Sequence, residues 1–148
     1  MYRKEKLILA SLITTITVFV IYSLYVYQHY VVPLPEIIND FSFWGKTFIF
    51  LIPFTVAGQI IVHIIFAIVN KIVTNEDIPS ISDEMDNLIE LKALRVSHWI
   101  FASGTFLAIG SQAFKIQPWI MLAVLFSTGF IAAIISDITK IYLYRKGF

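Results

Sequence analysis

A chain of 148 residues that is 58% hydrophobic, 16% aromatic and only 14% charged lacks the polar side chains to cover a soluble globule, which usually carries about 25% charge. With a mean hydropathy of +0.80, it reads as a membrane protein. A formal net charge of +1 argues against nucleic-acid binding, which needs a concentrated basic face, and the absence of cysteine excludes disulfides and thiolate chemistry.

In chain order, four stretches without Asp, Glu, Lys or Arg stand out, at 7–35, 47–70, 96–114 and 116–136. Each can cross a hydrocarbon core of roughly 30 Å, which takes about 20 helical residues. Pro33 and Pro35 break the first, so its span is expected over about 7–27. A cleaved signal peptide would have a shorter apolar region followed by small residues. This tract continues through Tyr22, Tyr25 and Tyr27, so it reads as a retained helix. The other spans are expected at about 47–71, 96–114 and 117–141, with Pro118 in the first turn of the last. The expected fold is all-α: one integral membrane domain over 1–148, its four transmembrane helices forming two antiparallel hairpins.

Charge sets the orientation. Arg3, Lys4, Lys6, Lys71, Lys92, Arg95, Lys140, Arg145 and Lys146 fall on one side of these spans, and only Lys46 and Lys115 on the other. Cytoplasmic loops carry the Lys/Arg excess, so both termini are expected in the cytoplasm and the chain in the plasma (inner) membrane as a multi-pass protein. Tyr22, Tyr25, Tyr27, Tyr30, Trp44 and Trp119 fit an aromatic belt at the outer boundary, with Trp99, Tyr142 and Tyr144 at the inner one. Spans three and four carry small residues at helical spacing, namely Ala102, Gly104 and Ala108 on one and Gly129 and Ala133 on the other. Such positions let helix backbones approach in lipid.

Between spans two and three lies a polar segment, 74–95. Ser80 or Ser82 can cap a helix, with Asp83, Glu84 and Asp86 in a first turn that favours negative charge. Helical rotation groups Asp83, Asp86 and Glu90, and sets Met85, Leu88, Ile89 and Val96 on the other face, flanking Lys92. The expectation is a cytoplasmic amphipathic helix leading into span three. Its acidic residues Asp83, Glu84, Asp86 and Glu90 are the candidate contact for a protein partner. A calcium site would need six to eight oxygens, normally drawn from a loop that this segment lacks, so no metal or other cofactor is expected.

The run Asp83-Glu84-Met85-Asp86-Asn87-Leu88-Ile89-Glu90 resembles the D-E-x-D-x-x-I-E signature of a bacterial family of small four-helix membrane proteins of unknown function. The ending Tyr142-Leu143-Tyr144-Arg145-Lys146-Gly147 is similar to that family's close. The resemblance covers roughly 60–147 and implies a four-helix membrane bundle in a bacterial inner membrane, with no reaction attached.

Within the spans, Thr55, Gln59, His63 and Asn70 recur on one stripe of span two. Polar groups in lipid must face other helices or a cavity. His63 falls about 12 Å inside the cytoplasmic end of its span, with His98 and Asp137 about one turn inside theirs. Gln59, His63, His98 and Asp137 are therefore the candidate intramembrane polar site, since an ionisable group in a span is a functional hypothesis by default. The alternatives are hydrogen-bonded packing and pairing of Asp137 with Lys140. No zincin arrangement, nucleophile elbow or phosphate loop is present. The reading is a non-enzymatic membrane protein that binds a partner and is able to self-associate. A small transporter or immunity-type protein is the alternative.

Overall fold

The computed structural model describes residues 3–75 and 84–146. Among the described residues every regular element is helical. Helix α1 spans Arg3–Val26 and continues as a π turn at Tyr27–Val31. A 3-10 turn at Pro35–Asn39 leads to α2, Phe41–Thr74, and then come α3 at Glu84–Ser111, a 3-10 turn at Gln112–Phe114, and α4 at Pro118–Lys146. Three of these are long and apolar enough to cross a membrane: Lys4–Val31, Phe41–Thr74 and Pro118–Lys146. Helix α3 has 28 residues, or roughly 42 Å, and is therefore long enough. It falls short in hydropathy because Ser97, His98, Ser103, Gly104 and Thr105 dilute its apolar residues. The expectation of four spans is thus met by three helices on composition, with α3 the exception.

Local chemistry explains the boundaries. Pro33 and Pro35 end the first helical stretch as expected. Asp40 caps α2, its Oδ1 accepting the Ser42 N–H at 2.9 Å, which satisfies one of the four unpaired donors of a helix start. Asn75 closes α2 in the left-handed conformation at φ 56°, its N–H donating to the Lys71 carbonyl, a C-terminal role that asparagine tolerates. Lys115, also left-handed, ends the turn between α3 and α4. Pro118 opens α4, where a missing N–H is harmless. The acidic stretch from Glu84 does not form a separate helix but runs without interruption into α3.

The helices meet at matched pairs of residues. Helix α1 meets α2 where the Tyr22 hydroxyl donates to the Thr47 carbonyl at 2.8 Å, and again where Gln59 reaches Ser11 and Thr15. It meets α4 through Phe19, whose ring stacks on Phe130 at 4.4 Å, with Phe126 beside it. The most extensive interface is α3 against α4. Its buried positions on α3 are Ile89, Ala93 and Ala108, and on α4 Thr128, Ala132 and Tyr144. A Cβ added at Gly104 would lie 2.8 Å from Thr128 Cβ and closer still to Cγ2 and Oγ1, so the two backbones approach there as only glycine allows. The small residues expected on α3 are partly in this seam, as Gly104 and Ala108. On α4 the seam is Thr128 and Ala132, one position before the expected pair: Gly129 has open space at its Cβ position and Ala133 is exposed.

Little side chain is hidden between the helices. Phe48, Ile49, Phe54, Ile60, Ile64 and Ile68 of α2 are all about half exposed or more. Such a surface suits a hydrocarbon solvent and would be an aggregation hazard in water.

Candidate functional site

Residues far apart in the chain come together at the end of the molecule that holds both termini. Lys4 of α1 pairs with Asp86 of α3, and Arg145 of α4 pairs with Glu5 of α1. The Tyr144 hydroxyl donates to Asp86 Oδ1 at 2.6 Å. Glu5 is 2% exposed, and burying a carboxylate is costly unless it is paired and hydrogen-bonded, as it is here by Arg145 Nε. The network knits the start of α1, the start of α3 and the end of α4. In the sequence Lys4 reads only as a topology signal, Arg145 as that and part of the ending Tyr142 to Gly147, Tyr144 as part of that ending and a boundary aromatic, and Glu5 has no reading at all. A lone acid inside the Lys4-Glu5-Lys6 run was the available signal for Glu5.

Of the four acidic candidates, Asp83 lies outside the described residues. Asp86 is on the packed face of α3, in line with Ile89 and Ala93 rather than with solvent, and its carboxylate is engaged by Lys4 and Tyr144. Glu84 and Glu90 are exposed. Leu88, expected on the hidden apolar face, is 46% exposed, whereas Ile89 is 1% exposed. The packed stripe is therefore rotated toward Asp86 from the expected one. The physical reason is that Asp86 meets a cation and a hydroxyl supplied by α1 and α4, which no reading of α3 alone contains.

The polar stripe of α2 divides in the same way. The Gln59 amide donates to Thr15 Oγ1 at 2.7 Å and to the Ser11 carbonyl at 3.2 Å, while its oxygen accepts the Ser11 hydroxyl at 2.9 Å. Both amide donors and one of the oxygen's two acceptor sites are thus engaged with α1. Thr55 bonds back to the Leu51 carbonyl of its own helix, and Asn70 is buried. His63 is exposed, with Nδ1 2.7 Å from the Gln59 carbonyl one turn earlier. His98 is exposed beside the Trp99 ring, and Asp137 lies 3.7 Å from Lys140 on α4. The structure thus engages Gln59 with α1, and gives His63, His98 and Asp137 neighbours on their own helices. Among the described residues no three His, Asp or Glu side chains are grouped to hold a metal ion.

Comparisons of the chain with protein-family models, with curated proteins and with solved structures gave no match.

Proposed function

We propose that this is a multi-pass plasma-membrane protein whose four helices all cross as two antiparallel hairpins, both termini in the cytoplasm, and that it acts by binding a protein partner rather than by catalysis. One observation carries the reading. The terminal network fixes the start of α3 against α1 and α4 through Asp86, while Glu84 and Glu90 of the same two turns stay exposed. Carboxylates held on a rigid helix lose little further freedom when a basic partner binds, and such preorganisation favours association. Gathering residues 4–5, 86 and 144–145 at one end also supports an even number of crossings, with the nine-to-two division of Lys and Arg setting which side is cytoplasmic. For α3, the exposed Leu91, Leu94, Phe106, Leu107 and Ile109 support a lipid-facing side despite its lower hydropathy.

Photo-crosslinking in native membranes tests the partner surface. A crosslinker at position 90 should give a discrete larger species that one at Phe106 does not, and Glu84→Lys with Glu90→Lys should abolish it while helicity is unchanged. Equal products from both positions, or none from position 90, overturn the reading. Reporter fusions at Asn75 and at the C-terminus test orientation, and both should report the cytoplasm.

A further inference from the structure

At the end opposite the terminal network, α1, the connecting turns and α2 line a cavity of about 450 Å³ in which charged and apolar side chains meet. Asp40, Lys46, Tyr25 and Tyr30 bring charge and hydroxyls, while Phe50 and Phe54 supply an apolar wall. Lys46, Phe50 and Phe54 follow at four-residue spacing on α2, so this wall descends along one helix face for roughly 12 Å, from the charged rim toward the middle of the span. Lys46 has no ion-pair partner among the described residues, and Asp40 engages one oxygen with the Ser42 N–H. The volume lies within the usual range of small-molecule sites, about 300–1,000 Å³.

We propose that this cavity binds a zwitterionic phospholipid carrying a primary ammonium, taken from the leaflet that faces the α1–α2 connection. The charges select the head group. The Lys46 ammonium donates to the phosphate, and the lipid's ammonium donates to the Asp40 carboxylate and lies against the rings of Tyr25 and Tyr30, whose faces attract cations. The first part of one acyl chain follows Phe50 and Phe54 downward, where its burial has the ordinary apolar character. The cavity is too small for a whole lipid, so the rest of the tail stays in the bilayer, and the ligand enters sideways without leaving the membrane. An anionic lipid gains at Lys46 but is repelled at Asp40. A choline lipid offers no N–H to Asp40. This site is separate from the proposed partner surface, at the other end of the molecule.

The test uses the full chain reconstituted in vesicles of equal parts phosphatidylethanolamine, phosphatidylcholine and phosphatidylglycerol, extracted in mild detergent and weighed intact by native mass spectrometry. One retained phosphatidylethanolamine is expected, with the other two several-fold less abundant. Lys46→Gln should lower that retention about tenfold, the usual worth of one charge-assisted hydrogen bond. Asp40→Asn keeps the helix cap, because asparagine caps as well as aspartate, and should make phosphatidylethanolamine and phosphatidylglycerol equal. Lys115→Gln, on the other connection at this end, should change nothing. Equal retention of all three lipids by the wild type, unchanged retention in Lys46→Gln, or a lipid-free dimer of the chain each overturns the proposal.

Discussion

The seam between α3 and α4 makes a quantitative prediction, because the sequence pattern and the structure disagree on it by one residue. The perturbation is Gly104→Ala. The new methyl would lie 2.8 Å from Thr128 Cβ, with Cγ2 and Oγ1 nearer, and Thr128 is 6% exposed with its hydroxyl donating to the Val124 carbonyl. A rotamer change alone does not relieve the clash, since Cβ moves only with the backbone. Overpacking of this kind costs about 1–3 kcal/mol, and the helix-propensity gain of alanine over glycine returns about 1 kcal/mol at most. At 2.8 Å from a buried Cβ the upper part of that range applies, about 2–3 kcal/mol, so a net loss of about 1–2 kcal/mol is expected. Thr128→Ala leaves Cβ in place and should rescue only part of it, whereas Thr128→Gly removes the clash and should rescue most. Gly129→Ala has open space at its Cβ position and should be neutral or stabilising by up to about 1 kcal/mol. The assay is reversible unfolding of the purified protein in mixed detergent micelles, read as a double-mutant cycle. A neutral Gly104→Ala, or the same penalty with and without Thr128, refutes the register; a penalty at Gly129 instead restores the pairing expected from sequence.

Three further substitutions separate packing from chemistry in the same unfolding assay. Tyr144→Phe removes the hydroxyl that donates to Asp86 and should cost about 1.5–3 kcal/mol, the range for a hydrogen bond to a charged group; no change would mean that the remaining partners of that carboxylate satisfy it. Gln59→Leu breaks the links to Ser11 and Thr15 and should cost about 1 kcal/mol, between the average of about 0.6 for one interhelical hydrogen bond in membranes and the maximum of about 1.7, with Ser11→Ala no longer additive in its background. His63→Gln and His63→Leu should both fall within about 0.5 kcal/mol of wild type because the ring is exposed and bonds within its own helix, and proton flux in reconstituted vesicles should match wild type for His63→Gln and Asp137→Asn; loss of flux in either variant would revive a relay.

What was legible in the sequence follows from what each pattern encodes. Helix existence and rough extent were readable because long apolar runs bounded by Pro33, Pro35 and Pro118 leave few other folds in lipid. An end of the first stretch before Pro33 was readable for the same reason, whereas the continuation past Tyr27 as a π turn to Val31 was not. The polar set was legible as residues but not as partners. Gln59 carries no mark of which helix it faces, and only the register with Ser11 and Thr15 determines it. His63 sits 40° around the helix from Gln59 at four residues' distance, a small rotation on paper that separates a helix contact from an exposed position. Asp86 looked like one of four equivalent acids because its cation and its hydroxyl donor come from Lys4 and Tyr144, 82 and 58 residues away.

Helix α3 joins these observations. Among the described residues it is the long helix whose composition falls short of a membrane span, yet it takes part in the most extensive helix–helix contact. The two facts share part of their cause. In lipid, apolar side chains do not drive helices together, because hydrocarbon solvates them as well as a neighbouring helix does. Association depends instead on close backbone approach and on polar contacts. Gly104, Ala93 and Ala108 lower hydropathy relative to leucine or isoleucine, and they are the residues that let α4 come near. Asp86 lowers it further and ties the helix to Lys4 and Tyr144. Helix α2 shows the converse, with apolar side chains exposed along most of its length and a contact to α1 centred on Gly58 and Gln59. The helix that bilayer partitioning favours least is thus one side of the most extensive helix–helix contact, so the stability of α3 depends on α4 and on the terminal network. A substitution that opens the Gly104–Thr128 seam should therefore loosen the start of α3, and with it the rigid presentation of Glu84 and Glu90, more than it disturbs α1 or α2.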